Sequence, residues 1–242
     1  MKNRKWIWCL PLLVMVFLTF SPAAYGDLYW ESEVTSAGGP TNLPENLPKQ
    51  VREKILAQFK GTSETVKHYF TAHASRIEQK DQSMIINFDN MMMYQLNPGN
   101  KTYAEINMMS MMDDKMKEMA KDIQVTPTNE TKVIAGYKCK KYNVTVMGVT
   151  SEHWLSKKVK GYKEFKKISK KMEKSFKKNP RLRQMSMAGI SGKEGFPVKT
   201  VTNVMGMTTT MTLNKIEKKS LSKKLFKVPK GYKLVKLPMP MK

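Results

Sequence analysis

An α+β fold built on an antiparallel sheet is predicted by three features of this 242-residue sequence. Short apolar runs alternate with turn-forming residues, which favours hairpins over crossover helices. Two segments switch to a helical period. An export leader stands ahead of both.

The leader occupies residues 1–26. Lys2, Arg4 and Lys5 form a positive start, the run from Trp6 to Phe20 is apolar, and Ala24-Tyr25-Gly26 supplies small residues for cleavage after Gly26. The apolar run is broken by Pro11 and falls short of the roughly 20 residues that span a bilayer. Cys9 lies inside this leader, so Cys139 is the one cysteine of the mature chain and no internal disulfide forms. Large residues before Cys9 also argue against lipid attachment. The expected product is a periplasmic protein made of one domain, residues 27–236, with a disordered tail at 237–242.

Three of the 43 Lys and Arg sit in the leader with none of the 20 Asp and Glu, so the mature chain stays strongly basic. Such a surface attracts polyanions. Outside the cytoplasm these are acidic lipid headgroups or envelope polymers, and no nucleic-acid partner is expected. Asn100, Asn129 and Asn143 each open a glycan-acceptor triplet, which matters only in a eukaryotic secretory route.

Asp27 to Thr35 alternates Leu28, Trp30 and Val34 with polar residues, as a half-buried strand does. Ala37-Gly38-Gly39-Pro40 reads as a loop. Val51, Ile55 and Phe59 are spaced four apart on a short helix that Gly61 stops. Thr65 to Ile106 reads as a five-strand meander: Thr65–His73, Ser75–Lys80, Ser83–Phe88, Met91–Leu96 and Thr102–Ile106, with Asp89-Asn90 and Asn97-Pro98-Gly99-Asn100 as turns.

Asn107 to Asp122 takes a helical period with methionines on a broad arc. Strands resume at Ile123–Pro127, Lys132–Ala135, Tyr137–Met147 and Ser151–Leu155, and the change of parity between Cys139 and Val144 predicts a bulge near Lys140-Lys141. Gly161 to Lys178 is a basic amphipathic helix with Tyr162, Phe165, Ile168, Met172 and Phe176 on one face, ended by Pro180. Arg181 to Gly195 reads as a loop, followed by strands Phe196–Met205 and Met207–Glu217.

The stretch Ile134-Ala-Gly-Tyr-Lys-Cys-Lys-Lys-Tyr142 resembles an exported bacterial family known as domain of unknown function 4412. The resemblance extends through Ser75-Arg-Ile-Glu78, Met93-Tyr-Gln-Leu-Asn-Pro98 with Lys101-Thr-Tyr103, Trp154-Leu-Ser-Lys157, Gly195-Phe-Pro-Val198 and Leu225-Phe-Lys-Val-Pro-Lys-Gly-Tyr232. It implies an outer-membrane-lipoprotein-carrier-like fold: a curved, incompletely closed antiparallel sheet, or half-barrel, with two or three helices over its concave face. It implies no activity. A proline-rich stretch from Ala37 to Leu47 and the 21 methionines depart from the pattern.

No catalytic constellation is legible. His68, His73 and His153 lack a recognisable nucleophile or metal context, and no glycine-rich phosphate loop is present. The chain is therefore expected not to be an enzyme and to need no cofactor or metal. Cys139 reads as a small buried apolar residue.

The leading expectation is a carrier or sensor for an apolar small molecule or lipid. Met108, Met109, Met111, Met112, Met116, Phe165 and Met172 are the candidate ligand-binding residues, because flexible apolar side chains adapt to variable chains. Lys163, Lys166, Lys167, Lys170, Lys171 and Lys174 are the candidate contacts to an anionic membrane surface. Two alternatives stay open. The methionine pairs, including Met185/Met187, Met205/Met207 and Met239/Met241, suit Cu(I) or Ag(I), and an envelope interaction protein would need no ligand.

Overall fold

A single twelve-stranded sheet organises the computed structural model, which describes residues 26–39, 47–58, 61–110, 123–146, 148–178, 194–204 and 206–236, apart from the side chains of 54–58 and 175–178. Residues 1–25, which hold nearly all of the expected leader, residues 111–122 and the tail from 237 lie outside the described residues.

The strands are β1 (Leu28–Gly38), β2 (Thr62–Phe70), β3 (Ala74–Glu78), β4 (Ser83–Asn87), β5 (Met92–Asn97), β6 (Thr102–Asn107), β7 (Gln124–Ile134), β8 (Tyr137–Val146), β9 (Val149–Ser156), β10 (Phe196–Val204), β11 (Met207–Lys218) and β12 (Lys233–Leu234). Two helices are described, α1 (Lys49–Gln58) and α2 (Tyr162–Lys178). The spatial order is β12-β6-β5-β4-β3-β2-β1-β11-β10-β9-β8-β7, with no pairing between the two ends. The protein is thus mostly β, with one large open sheet.

β1 is the hub. It pairs antiparallel with β2 on one side and with β11 on the other, and so joins two meanders, β2–β6 and β7–β11. Asparagine chemistry closes the turns. The Asn87 side chain accepts from the backbone N–H groups of Asp89 and Asn90 at 2.9 and 3.2 Å, and Asn97 accepts from that of Asn100 at 3.0 Å. Ala135 and Gly136 link β7 to β8 with φ of 48° and 78°, the two left-handed positions of a type I′ hairpin turn.

Unbroken register from β1 to β6 sorts side chains onto two faces. One face carries the row Leu28, Phe70, Ser75, Ile86, Met93, Ile106 and the row Trp30, His68, Ile77, Met84, Gln95, Ala104. α2 packs on this face, its Phe165 ring 6.0 Å from Phe70 and 5.0 Å from Phe196.

The opposite face carries Tyr29, Tyr69, Arg76, Ile85 and Leu96. The segment after β11 packs there as a strap. The Asp27 carboxylate accepts from the Leu221 N–H at 3.0 Å, Arg76 Nη1 donates to the Leu225 carbonyl at 3.1 Å, and Lys219 Nζ sits 4.1 Å from the Tyr29 ring centroid. Ile85 and Leu96 are fully buried.

Several expectations are corrected. β12 pairs with β6 in parallel, so the sheet is not wholly antiparallel. The strap carries the chain from one side of β1 to the far edge, and only such a crossover permits a parallel neighbour. β1 continues through Ala37 and Gly38, because β11 offers them Thr208 and Met207 as partners. The two strands expected over Ile123–Ala135 are one, β7, with its irregularity between Pro127 and Thr131. β8 has no bulge at Lys140-Lys141 and pairs with β9 in unbroken register. Its parity changes because both faces are covered: Cys139 joins a core with Trp154 and Phe196, while Val144 lines a cavity. The helix expected from Asn107 does not begin there. Asn107 ends β6 and folds residues 108–110 into a turn, its side chain accepting from the Met109 N–H at 2.9 Å. β2 stops at Phe70, so His73 lies in the β2–β3 turn instead of on the strand.

Candidate ligand-binding site

A cavity of about 460 Å³ lies on the α2 side of the sheet. β1 and β2 contribute Trp30, Ser32 and His68, β8 and β9 contribute Val144, Val146, His153 and Leu155, and β10 and β11 contribute Pro197, Val198, Lys199, Thr200, Met211 and Leu213. Phe165 reaches it from α2. Its volume falls within the ~300–1,000 Å³ typical of small-molecule sites, and a mostly apolar wall with few polar groups is their usual make-up.

Aromatic packing shapes the wall. The Trp30 ring stacks on His68 at 4.7 Å with 6° between planes, and meets Phe196 edge-on at 5.5 Å. Phe196 is fully buried between Trp30 and Phe165. Gly195 leads into β10 at φ 148°, and a Cβ there would stand 2.9 Å from the Ser156 nitrogen and 3.0 Å from its carbonyl carbon. Backbone atoms on a paired strand cannot yield to that contact. Gly195→Ala is expected to destabilise the fold by at least ~2 kcal/mol through strain and overpacking, read as a lower urea midpoint.

The two cavity histidines differ. His153 Nε2 lies 2.8 Å from Ser151 Oγ and Nδ1 lies 3.5 Å from Thr200 Oγ1. His68 is 8% exposed, and its Nε2 is buried without a hydrogen-bond partner. Burial pushes both imidazoles down from their ordinary value, His68 to about 4. Both are neutral at pH 7. Cys139 is buried away from this cavity, donates to the Tyr137 carbonyl at 3.3 Å, and has its thiol pKa raised by burial.

A second, polar cavity of about 800 Å³ lies between α2, the β2–β3 and β4–β5 turns and the strap. Several of its polar groups are already engaged. His73 Nδ1 is 2.9 Å from Asp89 Oδ2, His73 Nε2 is 3.1 Å from Lys171 Nζ, and Lys218 Nζ is 2.6 Å from Glu164 Oε1. Burial alone would raise the Glu164 pKa, yet the Lys218 ammonium and a backbone N–H hold it below its ordinary value. Ion pairs of this kind read as a solvated cleft beside a helix.

Of the expected ligand-binding residues, Phe165 lines the apolar cavity. Met172 is partly buried on α2 outside that lining, and Met108 and Met109 are partly buried in the turn after β6. Met111, Met112 and Met116 lie outside the described residues. Lys163, Lys166, Lys167, Lys170, Lys171 and Lys174 are all exposed along α2, with Lys167 and Lys171 also bordering the polar cavity. Of the methionine pairs, Met108-Met109 lies wholly within the described residues, and among those residues no group of three His, Cys, Asp or Glu side chains is placed to hold a metal ion.

Sequence alone does not mark Trp30, His68 or Phe196 as site residues. Each looks like an ordinary strand residue, and only pairing across β2, β1, β11 and β10 brings them together.

Fold and cavity define an open-sheet protein with an apolar site beneath a helix. The chain belongs to the family described as "Domain of unknown function (DUF4412)", whose model matches residues 51–232. No curated protein matches it. Solved structures similar to it include PNGF-II (16% identity, 87% of this chain and 31% of that one, TM-score 0.41), an uncharacterized conserved protein from Thermus thermophilus (9%, 86% and 91%, 0.45) and a putative outer membrane lipoprotein-sorting protein domain from Vibrio parahaemolyticus (9%, 83% and 89%, 0.32). The chain thus spans about a third of the PNGF-II chain.

Proposed function

We propose that this protein is an exported, periplasmic, non-enzymatic carrier or sensor that holds an apolar molecule, such as an acyl chain, between a curved half-barrel sheet and α2. The apolar cavity of about 460 Å³ carries this reading. Its lining draws on six neighbouring strands, β2, β1, β11, β10, β9 and β8. Laid flat at ~4.8 Å spacing these would spread over ~24 Å, so a single cavity among them favours a sheet bent around it.

The charge of α2 fits the same reading. Phe165 and buried Ile168 face the protein while the lysines face solvent. That arrangement suits a helix whose outer side meets anionic headgroups when ligand is delivered. Export rests on the leader sequence, with its positive start, apolar run and small residues before Asp27.

Ser151 and His153 form a contact that resembles a nucleophile and base. Ser151 Oγ, however, also lies 3.2 Å from the Val144 carbonyl, and behind His153 stands the Thr200 hydroxyl, where a triad needs a carboxylate. A strand-stabilising role accounts for both contacts, which supports the non-enzymatic reading.

Native mass spectrometry of the full chain, purified without detergent, tests the proposal. The expected spectrum shows an added mass that organic extraction removes and mass analysis identifies as an apolar molecule. Stoichiometric copper with no organic adduct would favour the methionine alternative, and a bare protein that takes up no added apolar fluorophore would end the carrier reading.

A further inference from the structure

Among the described residues, His68 is the one side chain lining the apolar cavity with a buried polar atom left unpaired; the other such atom, Glu164 Oε2, belongs to the polar cavity. Its neighbours across the sheet are Trp30 on β1 and Ile77 on β3, and along β2 the same face carries Val66 and Phe70. None of these offers a hydrogen bond to the ring. The parallel stack on Trp30 fixes the imidazole plane, and with it the direction of Nε2. His153 on the far wall already has its serine and threonine partners. A buried polar atom without a partner is costly in a folded protein and calls for a reason.

We infer that His68 Nε2 is the polar anchor of the bound molecule, and that the cavity selects an amphiphile with an uncharged oxygen headgroup, a hydroxyl or an ester carbonyl. This deepens the carrier reading and rests on it. A neutral imidazole presents one N–H donor and one acceptor nitrogen, which matches a hydroxyl in either tautomer and a carbonyl when Nε2 holds the proton. A carboxylate or phosphate placed there would bring an unpaired charge against the Trp30 wall, and would need His68 to take up a proton in surroundings that disfavour it. The titratable and charged groups that share the cavity with His68 are His153 and Lys199.

Displacement of the neutral fluorophore N-phenyl-1-naphthylamine from the mature protein at pH 7.5 separates these outcomes. Decan-1-ol and methyl decanoate are expected to displace it at least ~tenfold more effectively than decanoate. His68→Leu is expected to weaken the alcohol and ester about fivefold, the scale of one net hydrogen bond, once displacement is corrected for the variant's own fluorophore affinity. His68→Gln, which keeps hydrogen-bonding capacity, should recover part of the loss, and thermal melts of both variants check folding. Decanoate binding as tightly as decanol overturns the inference, as does decanol binding unchanged in His68→Leu. A wild-type protein that does not bind the fluorophore overturns the carrier reading itself, so the two failures are distinguishable.

Discussion

Phe196→Ala is expected to lower stability by about 3–5 kcal/mol, the range for truncating a fully buried aromatic side chain. Phe196 is 0% exposed and stands between two rings, Trp30 at 5.5 Å and Phe165 at 5.0 Å. Removing it opens a void that β10 cannot collapse to fill, because that strand is paired on both sides by β9 and β11. The effect reaches beyond stability. Phe165 holds α2 to the sheet through Phe196 and Phe70, so its loss of a partner loosens the roof of the apolar cavity. Urea unfolding gives the energy, and the fluorophore assay without denaturant gives the cavity. A matched Val133→Ala change on the exposed edge strand, where the side chain is 67% exposed, should stay within about 0.5 kcal/mol. A Phe196→Ala protein as stable as that control would mean the aromatic cluster is not the core.

Local chemistry makes most of the sheet legible, and long-range pairing hides the rest. Asn87, Asn97 and the Ala135-Gly136 pair announce their turns through side chains and backbone freedom within four residues, so the strands on either side follow directly. α2 is equally plain, since Tyr162, Phe165 and Ile168 repeat at helical spacing with lysines between them. The strap is not readable in the same way. Leu225 and Phe226 read only as apolar anchors in a tail, because their target, Arg76, is 149 residues away from Leu225 in the chain.

β8 misleads for a related reason. A parity change between Cys139 and Val144 reads as a bulge when one face is assumed to be the buried one. With Cys139 in the core and Val144 at the cavity, both faces are apolar and no extra residue is needed. The site shows the same limit. Phe165 is identifiable because its helix is amphipathic, while Trp30 and His68 become partners only through the β1–β2 register. A histidine flanked by Lys67 and Tyr69 has no local feature that marks it as buried.

His68 should make folding stability fall with acid. Its folded-state pKa of about 4 lies below the ordinary 6.5, so the native fold binds this proton less readily than the unfolded chain does. The His68 contribution is then complete above pH 6.5 and is lost as pH falls towards 4, with a total of about 3 kcal/mol from a shift of this size. His153, also depressed by burial, adds loss of the same sign. Glu164, held down by Lys218, loses its contribution at lower pH still, while Asp27, raised by burial, acts in the opposite direction. Subtracting the His68→Leu curve from the wild-type curve removes these shared terms. The difference should steepen between pH 6.5 and 4 towards the one-proton slope of about 1.4 kcal/mol per pH unit. Parallel curves for the two proteins across that window would show that His68 takes up its proton without penalty. A headgroup bonded to neutral His68 competes with the proton in the folded protein, so acid should also release a bound alcohol or ester as pH falls through about 4, at the low end of the stability window.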